Sequence, residues 1–244
     1  MSRLLALTRR ELESHFFAPV PWILTFFFLL LTWYFFQLDV SGFYVAVNYG
    51  TVFVALDFIL LFLVPLLTMN SVAEERSRNT LETLLTAPVR DWQVIVSKWL
   101  GTFAFYVMML LPTLLYWAVL DYIGREIGKP DTGPILCAYL GALFLGGLYI
   151  AIGIFTSSLT ENALMSAFLA FFLLISLLSV SVLPFVRDSG PEWLQRGAEY
   201  LSQHQHFGEF LKGRVDLHDV VYFVSMTAFF LFLAVRSLES RKWR

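Results

Sequence analysis

Charge is what this sequence most lacks. Only 15% of its 244 residues are Asp, Glu, Lys or Arg, while 58% are hydrophobic. A soluble domain carries about 25% charged residues and about 45–50% apolar ones, because its surface must stay hydrated. A chain with a mean hydropathy of +0.69 needs an apolar solvent, and the bilayer supplies one. Cysteine is nearly absent too. Cys137 stands alone, which excludes an internal disulfide and a Cys-rich metal site, and its apolar setting marks it as a small packing residue. A basic excess is missing, since the net charge is −2, so nucleic acid is not an expected partner. No segment alternates at period two, which excludes a transmembrane β-barrel.

Recognisable catalytic chemistry is missing as well. No G-x-x-x-x-G-K-[ST] phosphate loop occurs, and Gly128-Lys129 lacks both the upstream glycine and the following hydroxyl. The chain is therefore not expected to bind and hydrolyse ATP by that chemistry. His15, His204, His206 and His218 form no metal-ligand spacing and read as surface residues. No nucleophile–base pairing is evident. The opening stretch, MSRLLALTRRELESHF, is interrupted by charges and lacks a cleavage site, so it does not read as a signal peptide.

Six apolar runs are present, and crossing ~30 Å of hydrocarbon takes about 20 helical residues. They are Val20–Gln37, Gly50–Met69, Trp99–Leu120, Pro134–Phe155, Ala163–Val186 and Val220–Val235. The last is the shortest and the weakest, although a snorkelling Arg236 extends its reach. With both termini inside, 11 of the 17 Lys and Arg residues fall on the cytoplasmic side, as the positive-inside rule requires. The expected architecture is all-α: one polytopic domain over residues 1–244 with six transmembrane helices. It includes an N-terminal interfacial amphipathic helix (1–18), a cytoplasmic segment (71–98) and short outer helices in 187–219.

Several local features bear on function. Residues 1–18 place Leu5, Leu12 and Phe16 near one side of a helix, with Arg3, Arg9, Arg10 and Glu13 elsewhere. That pattern suits a helix in the inner interface, touching lipid phosphates, and equally a plain basic topology anchor. The inner segment SVAEERSRNTLETLLTAPVRDWQVIVSKWLG opens as a helix mixing Glu74, Glu75 and Glu82 with Arg76 and Arg78. Its Leu81, Leu84 and Leu85 form an apolar face before Pro88 ends it. Such a helix between two spans is shaped to dock a cytosolic partner. Asp57 is the one ionisable residue inside an apolar run. It reads either as a dimer-interface or translocation-path acid or as an outer-interface residue reaching headgroups or water. Gly141, Ala142, Gly146, Gly147, Ala151 and Gly153 allow close helix approach, primarily within one subunit. Pro65 and Pro112 mark expected kinks.

The wording E-E-R-x-R-x-T-L-E-x-L-L-x-x-P-V, followed by S-K-W-L-G, resembles the membrane subunits of type-2 ABC exporters (ABC-2 permeases). Gly153-Ile-Phe-Thr-Ser-Ser-Leu-Thr-Glu-Asn162 is similar to that family's short inner turn. The ending, with His206-Phe-x-x-Phe-x-x-Gly213, Asp216-Leu-x-Asp-Val-Val-Tyr222 and Arg236-Ser-Leu-Glu-Ser-Arg241, resembles the gliding-motility-associated branch (GldF-like). Copper-enzyme-maturation permeases (NosY-like) are related.

The resemblance implies a coupling helix on Glu74, Glu75, Arg76, Thr80, Leu81, Glu82, Leu84 and Leu85, receiving force from a cytosolic ATPase dimer that binds the ATP. It implies no cofactor in this chain. The implied location is the bacterial inner membrane, with both termini cytoplasmic. The implied partners are a second permease copy or a relative, membrane lipids and an auxiliary membrane protein with a large outer domain. The competing expectation is a non-transporting scaffold that holds a cytosolic partner through the same helix. An intramembrane enzyme or ion-coupled carrier is the weakest reading, because Asp57 has no evident ionisable partner at its depth.

Overall fold

The computed structural model describes residues 3–40, 50–77, 90–127, 132–179 and 200–240, and among these the chain is helical with no strand. α1 (Arg3–Phe17) lies ahead of α2 (Pro19–Val40), with Pro19 and Pro21 in the first turn of α2, where a missing N–H costs nothing. α3 (Gly50–Thr68) follows, then a turn and the short α4 (Ala73–Ser77). α5 (Asp91–Leu110) breaks into a 3₁₀ turn at Leu111–Thr113, where Pro112 cannot continue the hydrogen-bond ladder, and resumes as α6 (Leu114–Ile127). α7 (Thr132–Leu159), α8 (Ala163–Ser179), α9 (Gln203–Leu211) and α10 (Leu217–Glu239) complete the order.

Five of these segments are long and apolar enough to cross a membrane: Pro19–Leu38, Thr51–Ser77, Asp91–Val119, Thr132–Leu159 and Leu217–Glu239. Ala163–Ser179 is a shorter apolar helix, and the rest of its run lies outside the described residues. The expectation that the last span is the weak one is therefore corrected. Its helix runs 23 residues, because Leu217–Asp219 and Arg236–Glu239 add polar turns at both ends of the apolar run. The chain is an all-helical, multi-pass membrane protein.

α7 is the central post, touching α3, α4, α5, α8, α9 and α10. Leu145, Leu148, Tyr149, Ile150, Ala151, Ile152 and Ile154 are enclosed completely. Lipid is as apolar as leucine, so close packing and dispersion rather than the hydrophobic effect hold such a post in place. Its glycines make that packing possible within the subunit. A Cβ on Gly153 would lie 2.0 Å from Thr68 Oγ1, one on Gly146 2.2 Å from the Tyr106 ring, and one on Gly141 2.7 Å from Phe210. Apolar side chains of α2, α3, α8 and α10 remain exposed, among them Phe26, Phe62, Phe172 and Phe232, as lipid-facing surfaces require.

α9 packs against α7. Its start sits level with Tyr149, where Gln203 donates to the tyrosine oxygen, and its end reaches Pro134, against which Gly213 is packed. It thus runs alongside α7 from Tyr149 to Pro134. A Schellman turn ends it: Gly213 N–H donates to Phe210 O at 3.0 Å, and Arg214 N–H to Glu209 O at 3.1 Å. Gly213 adopts φ +77°, which a side chain would strain.

Candidate functional site

Two polar constellations stand out. In the first, Lys98 on α5 is 2% exposed, and its Nζ lies 3.1 Å from Glu11 Oε1 of α1 and 3.0 Å from Glu75 Oε1 of α4. One buried ammonium therefore joins three elements. Gly101 lets α1 approach closely, since its Cβ position would be 2.7 Å from Glu11 Cβ. His15, one turn beyond Glu11, has its pKa held below the usual histidine value by burial, opposed by its backbone hydrogen bond.

Beside Lys98, α4 is fixed to the inner turn. Arg76, 7% exposed, donates to Ser158 O at 2.6 Å and pairs with Glu161 at 3.3 Å. Ser157 Oγ accepts from the N–H groups of Val72 and Ala73, both at 3.0 Å, and donates to Met69 O. The orphan N–H groups at the start of α4 are satisfied in this way. Asn162 Oδ1 caps α8 from the same turn through Leu164 N. A cavity of about 510 Å³ opens between these elements, lined by Arg10, Glu11, His15, Glu74, Glu75 and Lys98 among others. Of the expected coupling residues, Glu74, Glu75 and Arg76 are here. Thr80, Leu81, Glu82, Leu84 and Leu85 lie outside the described residues.

The second constellation is buried between helices. Asp57 lies 11 residues before Thr68 at the C-terminal end of α3, about 16 Å along the helix at 1.5 Å per residue. It is fully enclosed, which corrects the alternative that it reaches headgroups or water. Tyr149 of α7 donates to Asp57 Oδ1 at 2.6 Å, and His204 Nδ1 of α9 sits 3.2 Å from Oδ2. Gln203 donates in turn to the Tyr149 oxygen. The hydrogen bond to Asp57 raises the His204 pKa above the usual histidine value, partly offset by burial.

The reading of the histidines as surface groups is corrected for His206, while His218 is exposed as expected. His206 is 6% exposed, with Nδ1 2.6 Å from Asp219 Oδ1 of α10 and Nε2 3.1 Å from Tyr200 O. Ser202 caps α9 by accepting from Gln205 N, which places both histidines on a helix. Two residues apart on a helix means about 200° of rotation, which sends His204 to α3 and His206 to α10. The signal was available in the Ser202 cap and in the ring-sized Phe207 and Phe210 that bury one face. Lys98 and Glu11 were missed because each looked like an ordinary flanking charge.

Among the described residues no cluster of three His, Cys, Asp or Glu side chains is placed to hold a metal ion. No curated protein matches the chain. Residues 31–208 match the model of a family described as an ABC-2 family transporter protein. That stretch takes in α3 to α8, with Asp57, Glu75, Lys98 and Tyr149, so this chain belongs to the ABC-2 transporter family, whose members of this kind are the membrane-embedded permease subunits of ABC transporters.

Proposed function

We propose that this chain receives force from a separate cytosolic ATPase and passes it into the membrane, as the exporter half of an ATP-driven machine in a bacterial plasma membrane. The observation that carries this reading is the ion pair of Lys98 with Glu11 and Glu75. It binds the docking segment to α1 and α5 so that a push on one moves all three. Arg76, through Ser158 and Glu161, extends the connection to α7 and α8. Residues 71–98 then act as the coupling segment, with Thr80, Leu81, Glu82, Leu84 and Leu85 meeting the ATPase beside Glu74, Glu75 and Arg76. In this reading both termini are cytoplasmic and the ATP belongs to the partner dimer. Two permease copies, or this chain and a relative, enclose the path on which Asp57 acts through His204. The gliding-motility-associated branch, with an auxiliary outer-domain protein, is the branch we assign.

The test is purification of the tagged chain from its native membrane. An ATPase subunit should accompany it, and Glu74→Arg and Leu84→Asp should each lower the recovered ATPase severalfold while membrane insertion is unchanged. Undiminished association in both variants, or no ATPase at all, overturns the reading. ATP-driven movement of material in liposomes then separates export from force transmission alone.

A further inference from the structure

The cavity beside Lys98 is lined by two kinds of surface. Its volume of about 510 Å³ lies within the roughly 300–1,000 Å³ of sites that hold small molecules. The start of α2 and the end of α3 give it an apolar wall of Ala18, Val20, Pro21, Leu66 and Leu67, while α1, α4 and α5 supply charged groups. The apolar wall does not stop at the cavity. Val20 and Leu66 are exposed, and each begins a row of exposed apolar side chains, Ile23 and Phe27 on α2, Phe62 and Phe58 on α3. Spacings of three and four residues keep each row on one side of its helix. A ligand with a charged head and apolar chains matches this surface along its whole length.

The charges select the head. Three carboxylates, Glu11, Glu74 and Glu75, line the cavity against two cations, Arg10 and Lys98. Lys98 is shared between Glu11 and Glu75. Burial holds the His15 pKa down, so its ring adds no positive charge at neutral pH. The excess is negative, which repels a purely anionic head and draws in a cationic group. Arg10 is exposed and forms no ion pair among the described residues. Its guanidinium fork suits a phosphate.

We propose that this cavity binds one membrane phospholipid whose head carries a primary ammonium next to its phosphate, a phosphatidylethanolamine. Arg10 takes the phosphate, Glu74 and Glu75 take the ammonium, and the acyl chains follow the exposed rows of α2 and α3. A primary ammonium offers three N–H donors to the carboxylates. The trimethylammonium of phosphatidylcholine has the charge without the donors, and phosphatidylglycerol has the phosphate without the cation. The soluble head alone, glycerophosphoethanolamine, lacks the chains that the apolar wall receives. All the lining groups belong to one chain, so the site stands whether or not an ATPase docks on residues 71–98.

The test uses the purified full chain in detergent, with native mass spectrometry counting the lipid it retains from an equal mixture of the three dioleoyl lipids. One phosphatidylethanolamine should stay bound, preferred about tenfold over each of the others, the size of one charge-assisted hydrogen bond. Glycerophosphoethanolamine in large excess should fail to displace it. A phosphatidylethanolamine with a photoreactive acyl chain should cross-link within residues 20–27 or 58–66. Arg10→Gln should weaken retention about fivefold, and Glu74→Gln should cut the preference over phosphatidylcholine to about threefold or less. Equal retention of the three lipids, a preference for either of the other two, displacement by the soluble head, or cross-links only elsewhere overturns the proposal. Unchanged retention and preference in both variants does so too. The wild-type measurements decide it even where a variant fails to fold.

Discussion

Replacing Lys98 by methionine tests the inner junction most directly. Methionine nearly matches the stem of lysine in volume, so packing against α5 survives while the ammonium is lost. Glu11 and Glu75 are then left facing each other, with side chains only 15% and 20% exposed. Removing one partner of a buried ion pair costs about 3–5 kcal/mol, because the remaining charge stays desolvated. Both carboxylates border the cavity of about 510 Å³, where water reaches them, so the expected loss is nearer about 2–4 kcal/mol. The assay is equilibrium unfolding in lipid–detergent micelles, with the chain reconstituted from its native lipid. Adding Glu11→Gln and Glu75→Gln to Lys98→Met should recover most of the loss, since a neutral triad has no charge to strand. A loss below about 1 kcal/mol for the single variant, or no recovery in the triple one, would refute the claim that this ammonium holds α1, α4 and α5 together.

Three further outcomes follow from other parts of the fold. Gly153→Ala places a Cβ 2.0 Å from Thr68 Oγ1 and should cost about 1–3 kcal/mol in the same unfolding assay. Gly208→Ala meets nothing within 4 Å and should stabilise α9 by up to about 1 kcal/mol; equal effects at the two glycines would contradict the packing of α3 on α7. His15 makes stability respond to pH. Burial lowers its pKa, so the stability it allows is full above about 6.5 and falls as pH drops through the lowered value. Trp22, whose indole donates to Phe16 O and packs edge-on to Phe105, reports this as a fluorescence change on acidification that His15→Phe abolishes.

Much of the fold was legible because the bilayer restricts the choices. Every backbone N–H and C=O at depth must be satisfied within the segment, so a long apolar run has to be a helix. Pro112 and the small residues of the fourth run carried their meaning in the same local way. The last span was underrated because its ends are polar, and a helix does not stop where its apolar run stops. The docking segment was legible as a mixed-charge helix between spans, while its attachment to α1 was not.

The sequence alone determined that this is a helical membrane protein, that five of its runs are long and apolar enough to cross, and where the acid at position 57 falls along its helix. Only the tertiary structure decided what that acid and the buried cations meet. Asp57 and His204 are 147 residues apart, Tyr149 and Asp57 are 92 apart, and Lys98 and Glu11 are 87 apart. Hydropathy and helical period report on neighbours within a turn or two. A hydrogen bond between distant residues depends on how whole helices are rotated and shifted against one another. That rotation is set by the glycine-lined surfaces of α7, where a fraction of an ångström decides which faces can touch.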